Sequence, residues 1–168
     1  MIDAILRAFR QPEYIHVLIN PLPVYGLAMG MLALIVAFFM KNRRAQIVAL
    51  VIVVVSSASA FPVYEFGEQA YNPVLSMADE PGKAWLNEHQ DRAEDLIYFF
   101  YALALLALAA IVAPVKWPRS ATALLIATIL LGAATLGMGG YIAYAGGKIR
   151  HREFRNVPPP ATKTEHEP

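Results

Sequence analysis

The chain has 168 residues, of which 57% are hydrophobic and only 16% charged. A soluble domain carries about a quarter of its residues as charges, so this composition argues against a cytosolic enzyme, a disordered regulator or a nucleic-acid module. A formal charge of +1 gives no reason to expect DNA or RNA as a partner, and the lack of cysteine removes disulfides, thiolate catalysis, iron–sulfur clusters and covalent haem attachment.

At the start of the chain, Ile2, Ile5, Leu6 and Phe9 recur at helical spacing beside Arg7 and Arg10. Residues 1–14 therefore read as a short amphipathic helix lying in a membrane interface. Charges within its apolar part, and no small-residue cleavage site after it, separate it from a signal peptide. Four uncharged stretches follow, at about 17–40, 45–64, 96–115 and 120–147. Each supplies the roughly 20 apolar residues needed to cross a hydrocarbon core of about 30 Å. Each must be helical, because lipid offers no partner to an unsatisfied amide and no alternating barrel pattern appears.

Residues 41–44 and 116–119 leave room only for tight turns. The expected fold is thus all-α: a four-transmembrane-helix bundle of two antiparallel hairpins spanning residues 15–150, surrounded by a lipid bilayer. Both hairpins turn through a basic tetrapeptide, a hint of duplication, although the spans themselves do not align. Between the hairpins, Asn72-Pro73 and Pro81-Gly82 are expected to break the segment 65–95, with Lys83 to Asp95 running helically into the third span. Pro62 should kink the second helix. Residues 151–168 read as a tail, mobile from Asn156 onward, with Pro158-Pro159-Pro160 and alternating charges.

Gly26 and Gly30 form a GxxxG pair in the first span, and Thr128 and Gly132 a looser one in the fourth. Both are expected to seal the bundle rather than to make a dimer. Six glycines between 132 and 147 call for close packing or local unwinding.

All thirteen Asp and Glu fall on the side of the membrane that carries the termini, whereas the two short turns hold only Lys41, Arg43, Arg44, Lys116 and Arg119. Acid-free basic turns point to a cytoplasmic location for them. The opposite face also carries Lys148, Arg150, Arg152 and Arg155, so the cues conflict. The reading adopted is termini and 65–95 segment on the outer, periplasmic side.

All eight tyrosines gather at that same end, with His16, His89 and His151 each beside a different helix and His166 in the tail. Glu65 and Glu68 leave the second helix there, and Glu94 and Asp95 enter the third. Interfacial tyrosine belts normally occur at both faces, so a one-sided belt favours a site. Haem b would use His16 and His89 as its axial pair at the rim, with Tyr25 and Tyr141 beside it. A single metal ion would draw on His16, Glu68 and His89. A quinone or lipid pocket would need only tyrosines, a histidine donor and small residues. The Glu13-Tyr14-Ile15-His16 spacing stands alone, outside the span, where a di-iron bundle site would want two such pairs within the core. The chain carries no phosphate loop, no Gly-x-Ser-x-Gly elbow and no His-Glu-x-x-His. Uncharged span interiors speak against a proton-coupled transporter or ion pump.

Several segments resemble a widespread bacterial membrane family of unknown function. Asn20-Pro21-Leu22-Pro23-Val24-Tyr25 resembles its His-Pro-x-x-Val-His opening. Pro62-Val63-Tyr64-Glu65-Phe66-Gly67-Glu68-Gln69-Ala70 resembles its Pro-Val-Tyr-x-x-Gly-Glu-x-Ala segment. His89 followed by Ala93 and Glu94 resembles the opening of its third helix, and the stretch Gly139 to Gly147 resembles its closing Gly-Gly-x-x-x-Tyr-x-x-Gly. The resemblance implies a compact four-helix domain of the bacterial inner membrane. It also implies service in membrane electron transfer beside cytochrome or oxidoreductase subunits. Asn20 and Tyr25 stand where that family has histidines, so either the site is lost in this chain or His16, one turn earlier, takes their place. The expectation is therefore a membrane protein, not catalytic by itself, with a haem- or metal-linked rim site. The alternatives are an accessory subunit of a larger membrane complex and, more weakly, a small-molecule transporter.

Overall fold

A computed structural model describes residues 6–159 of the chain. Its architecture is all-α, with no strand among the described residues, and four helical stretches are long and apolar enough to cross a membrane. In chain order the helices are α1 (Pro12–Ile19), α2 (Leu27–Phe39), α3 (Arg43–Ala58), α4 (Ala60–Met77), α5 (Glu80–Lys116) and α6 (Ser120–Arg150). The first stretch, Pro12–Phe39, joins α1 to α2 through a π-helical turn at Leu22–Gly26; the second, Arg43–Met77, comprises α3 and α4.

Prolines account for the irregularities of the first half. Pro21 and Pro23 offer no amide to the preceding turn, and the backbone widens there into the π form. Pro62 likewise cannot donate to the Ala58 carbonyl, and the helix is interrupted one residue later, at Ser59. Pro73, by contrast, lies inside α4 without ending it. Gln69, whose carbonyl Pro73 leaves without a donor, is on the exposed face. The segment 65–95 is therefore almost wholly helical, reduced to a short link around Ala78 and Asp79. Asp79 caps α5 by accepting from the Gly82 amide at 3.0 Å, with Pro81 in the first turn.

At the opposite end, Lys41 adopts φ 51° and Asn42 caps α3 through the amides of Arg44 and Ala45. Pro114 sits inside α5 and strips the Ala110 carbonyl of its donor. Arg43 supplies one from the neighbouring hairpin, its Nη2 lying 2.9 Å from that oxygen and 3.2 Å from the Ile111 carbonyl.

Helix α2 packs on α3, α3 on α5, and α5 along α6, while α1 lies on α4. The main core joins Leu27, Leu34, Leu50, Val53, Phe100, Leu103 and Leu125, all buried. The outward faces are apolar too, with Val36, Phe39, Leu105, Val115 and Leu130 exposed. Helices hydrophobic on every side belong in lipid. The GxxxG pair closes the bundle from within: a Cβ on Gly30 would meet the Val53 amide at 3.2 Å, and one on Gly26 the Ser56 hydroxyl at 2.6 Å. Helix α6 stays helical throughout its glycine-rich half. Gly132, Gly139 and Gly146, seven residues apart, abut Met31, Phe100 and His89, whereas Gly137 and Gly140 face open space.

A second cluster at the termini end holds Trp85, Leu86, Ala145 and Ile149. Lys148 is buried among them at 1% exposure, its ammonium 4.2 Å from the Trp85 ring and 3.8 Å from the Tyr144 ring, donating to the Tyr144 hydroxyl at 2.5 Å. The chain after α6 is tied down as far as Arg155, which bonds Asp79 and the carbonyls of Lys148 and Ile149. Ile2, Ile5 and the residues from 160 on, His166 included, lie outside the described residues. Of the expected interfacial helix, Leu6 and Phe9 are exposed, and Phe9 meets Tyr14 edge-on at 5.7 Å.

Candidate functional site

A cavity of about 770 Å³ opens between the two hairpins at the termini end. Its walls come from α1, the π-turn, α4, α5 and α6. His16 and His89 both line it, and their rings meet edge to face with centroids 6.3 Å apart and planes at 84°.

The two imidazoles are held alike. His16, on α1, directs Nδ1 at the Val63 carbonyl of α4, 2.8 Å away. His89, on α5, directs Nδ1 at the Ile142 carbonyl of α6, 3.0 Å away. A carbonyl only accepts, so each Nδ1 carries the proton and donates, which leaves Nε2 as the ring nitrogen open to a ligand. Four residues beyond each accepting carbonyl stands a glycine. A Cβ on Gly67 would lie 3.0 Å from His16 Cε1, and one on Gly146 would lie 3.1 Å from His89 Cε1. Residues i and i+4 share a helix face, so the glycine clears the space through which the imidazole reaches the carbonyl. Each hairpin thus carries one histidine on its first helix and one aliphatic-x-x-x-Gly seat on its second.

The other expected site residues fare differently. Glu68 lines the cavity, but its carboxylate is exposed and accepts from Gln90 Nε2 at 3.1 and 3.3 Å. Among the described residues no three His, Cys, Asp or Glu side chains come together to hold an ion. A single metal ion on His16, His89 and Glu68 is therefore not supported. Tyr25 is 72% exposed and absent from the cavity wall. Neighbouring helical residues differ by about 100° in direction, and it is Pro23 and Val24 that face inward. Tyr141 is also exposed and lies outside the wall, under the Arg92 guanidinium at 3.6 Å. Tyr14, Tyr64 and Tyr71 are the cavity's tyrosines instead, the last donating to Asn87 Oδ1 at 2.6 Å. His151 lines the outer end, stacked on Phe154 and bonded to Glu153.

Two neutral imidazoles on one cavity wall would be too few for a bare ion and would suffice for haem b. The porphyrin supplies the remaining ligands, so two neutral imidazoles complete the set. The apolar lower wall, with Val24, Ile97, Phe100 and Gly139, suits a flat hydrophobic body, and the volume falls within the range of about 300–1,000 Å³ usual for cofactor sites. No protein family, curated protein or solved structure matches this chain.

Proposed function

We propose that the protein is a haem b carrier serving electron transfer in the bacterial inner membrane, with the site near the periplasmic face and cytochrome or oxidoreductase subunits as partners. The observation that carries this reading is the matched anchoring of His16 and His89, each tied through Nδ1 to a helix carbonyl over a glycine. Second-sphere bonds of that kind fix tautomer and ring orientation in metal-ligating histidines. A haem bound there supplies one-electron oxidation and reduction. The chain's own residues present the imidazoles, enclose the ring in apolar walls and keep the site at one rim, within reach of a partner outside the bilayer. The acid-free turns Lys41–Arg44 and Lys116–Arg119 support the orientation.

Purified in detergent with haem supplied, the protein is expected to show a Soret band with the sharp visible bands of six-coordinate low-spin haem. His16→Ala and His89→Ala should each abolish the low-spin spectrum. A wild-type protein without a Soret band, or a His89→Ala variant with an unchanged spectrum, would falsify the proposal. Co-purification of a colourless protein with a large membrane complex would favour the accessory-subunit alternative.

A further inference from the structure

One face of α6 passes the whole depth of the cavity. Gly139 lies at its apolar floor against Phe100 and Val24, Gly146 at the level of His89, and Arg150 at the outer end. Arg150 follows Gly146 by four residues, so it shares that face about 6 Å further along the axis. Its side chain is exposed and lines the cavity. Arg92, Arg152 and Arg155 each pair with a carboxylate. The contact that Arg150 makes is different: Nη1 reaches the neutral Met77 carbonyl at 3.3 Å. The carboxylates on the wall are Glu13 and Glu68, and Glu68 is engaged by Gln90. The cavity is thus graded, with an apolar floor, imidazoles at mid-depth and a guanidinium at the mouth.

We propose that Arg150 receives the carboxylate edge of the tetrapyrrole and fixes which edge of the ring faces water. This rests on the haem reading above and assigns the ligand's orientation. A guanidinium presents a planar fork of donors matched to carboxylate oxygens, and a ligand entering apolar edge first would bring its charged edge to rest at Arg150.

The test titrates the full-length protein in detergent with haem b and with haem b dimethyl ester, whose carboxylates are masked. Solvent screens an exposed guanidinium, so the wild type should bind the ester roughly twofold to fivefold more weakly. Arg150→Gln should bind haem b about as weakly as the wild type binds the ester, with no further loss for the ester, and Arg150→Lys should recover part of the preference. Arg152→Gln, whose partner is Asp79, should keep the wild-type ratio. The ratio compares two ligands on one protein, so a reduced folded fraction does not disturb it. Equal wild-type affinity for both porphyrins, or a wild-type ratio in Arg150→Gln, overturns the assignment and leaves the imidazole pair standing. A wild type that shifts the Soret band of neither porphyrin overturns both.

Discussion

The two hairpins seat their histidines alike but frame them differently. In the second, α5 and α6 run unbroken through 37 and 31 residues. In the first, the π-turn at Leu22–Gly26 separates α1 from α2, and Ser59 separates α3 from α4. The imidazole seat therefore needs only an accepting carbonyl and a glycine four residues on, not an irregular backbone. The breaks confer a different property. His16 sits on an eight-residue helix packed on α4, whereas His89 lies in one continuous helix, α5, packed along another, α6.

That contrast is sharpest at the glycine seats. On the haem reading proposed above, Gly146→Val should displace His89 and lose haem binding nearly as completely as His89→Ala. Gly67→Val should retain a weakened site, because His16 is carried on a short helix that gives way to the π-turn rather than on a long continuous one. Haem stoichiometry and the low-spin spectrum report the difference; equal losses would show the first half to be no softer than the second.

The next effect concerns the tie between the halves. Arg43→Ala leaves the Ala110 carbonyl without a donor and should cost about 1–3 kcal/mol in detergent unfolding. Measured in a Pro114→Ala background, the cost should shrink, because the restored amide at 114 donates to Ala110 itself. An undiminished cost would mean that Arg43 acts otherwise.

At the other end Asp79, in the link between the hairpins, holds the chain that follows α6. The hydrogen bond from Arg155, helped by the Gly82 amide and the nearby Arg152, holds its carboxyl well down, at about 2 against an ordinary 3.8. Because the folded value is depressed, the stabilisation is complete above the ordinary value and disappears as pH falls through about 2. Asp79→Asn should lower Tm near neutral pH, and the gap to wild type should close only in strong acid. A gap that closes near neutral pH would point to another group. The smallest effect belongs to the turn of the first hairpin. Lys41 occupies the left-handed region, and Lys41→Gly should stabilise by roughly 0.5–1 kcal/mol through relief of the Cβ clash.

Four spans and two hairpins were legible in the sequence because hydrocarbon permits few solutions: about 20 apolar residues in a row must be helix. The links were less legible. Asn72-Pro73 reads as a break on local propensity, yet α4 continues through it at the exposed rim. His16 and His89 could be named because histidines beside an apolar bundle are few, and the structure brings them together. Tyr25 and Tyr141 occupy the right end of the bundle, but helical direction decides which residues face a cavity, and both turn away. Gly67 and Gly146 went unrecognised as seats. A motif search within one helix looks for paired glycines, whereas here each glycine is paired with a histidine on another helix. The available signal was the recurrence of an aliphatic residue four places before a glycine in both Val63–Gly67 and Ile142–Gly146.

The seven-residue spacing of Gly132, Gly139 and Gly146 also has a mechanical consequence. One edge of α6 rests in turn on Met31, Phe100 and His89, so the helix behaves as a keyed rod. Twisting or sliding it at the basic-turn end withdraws support from the imidazole at the far end.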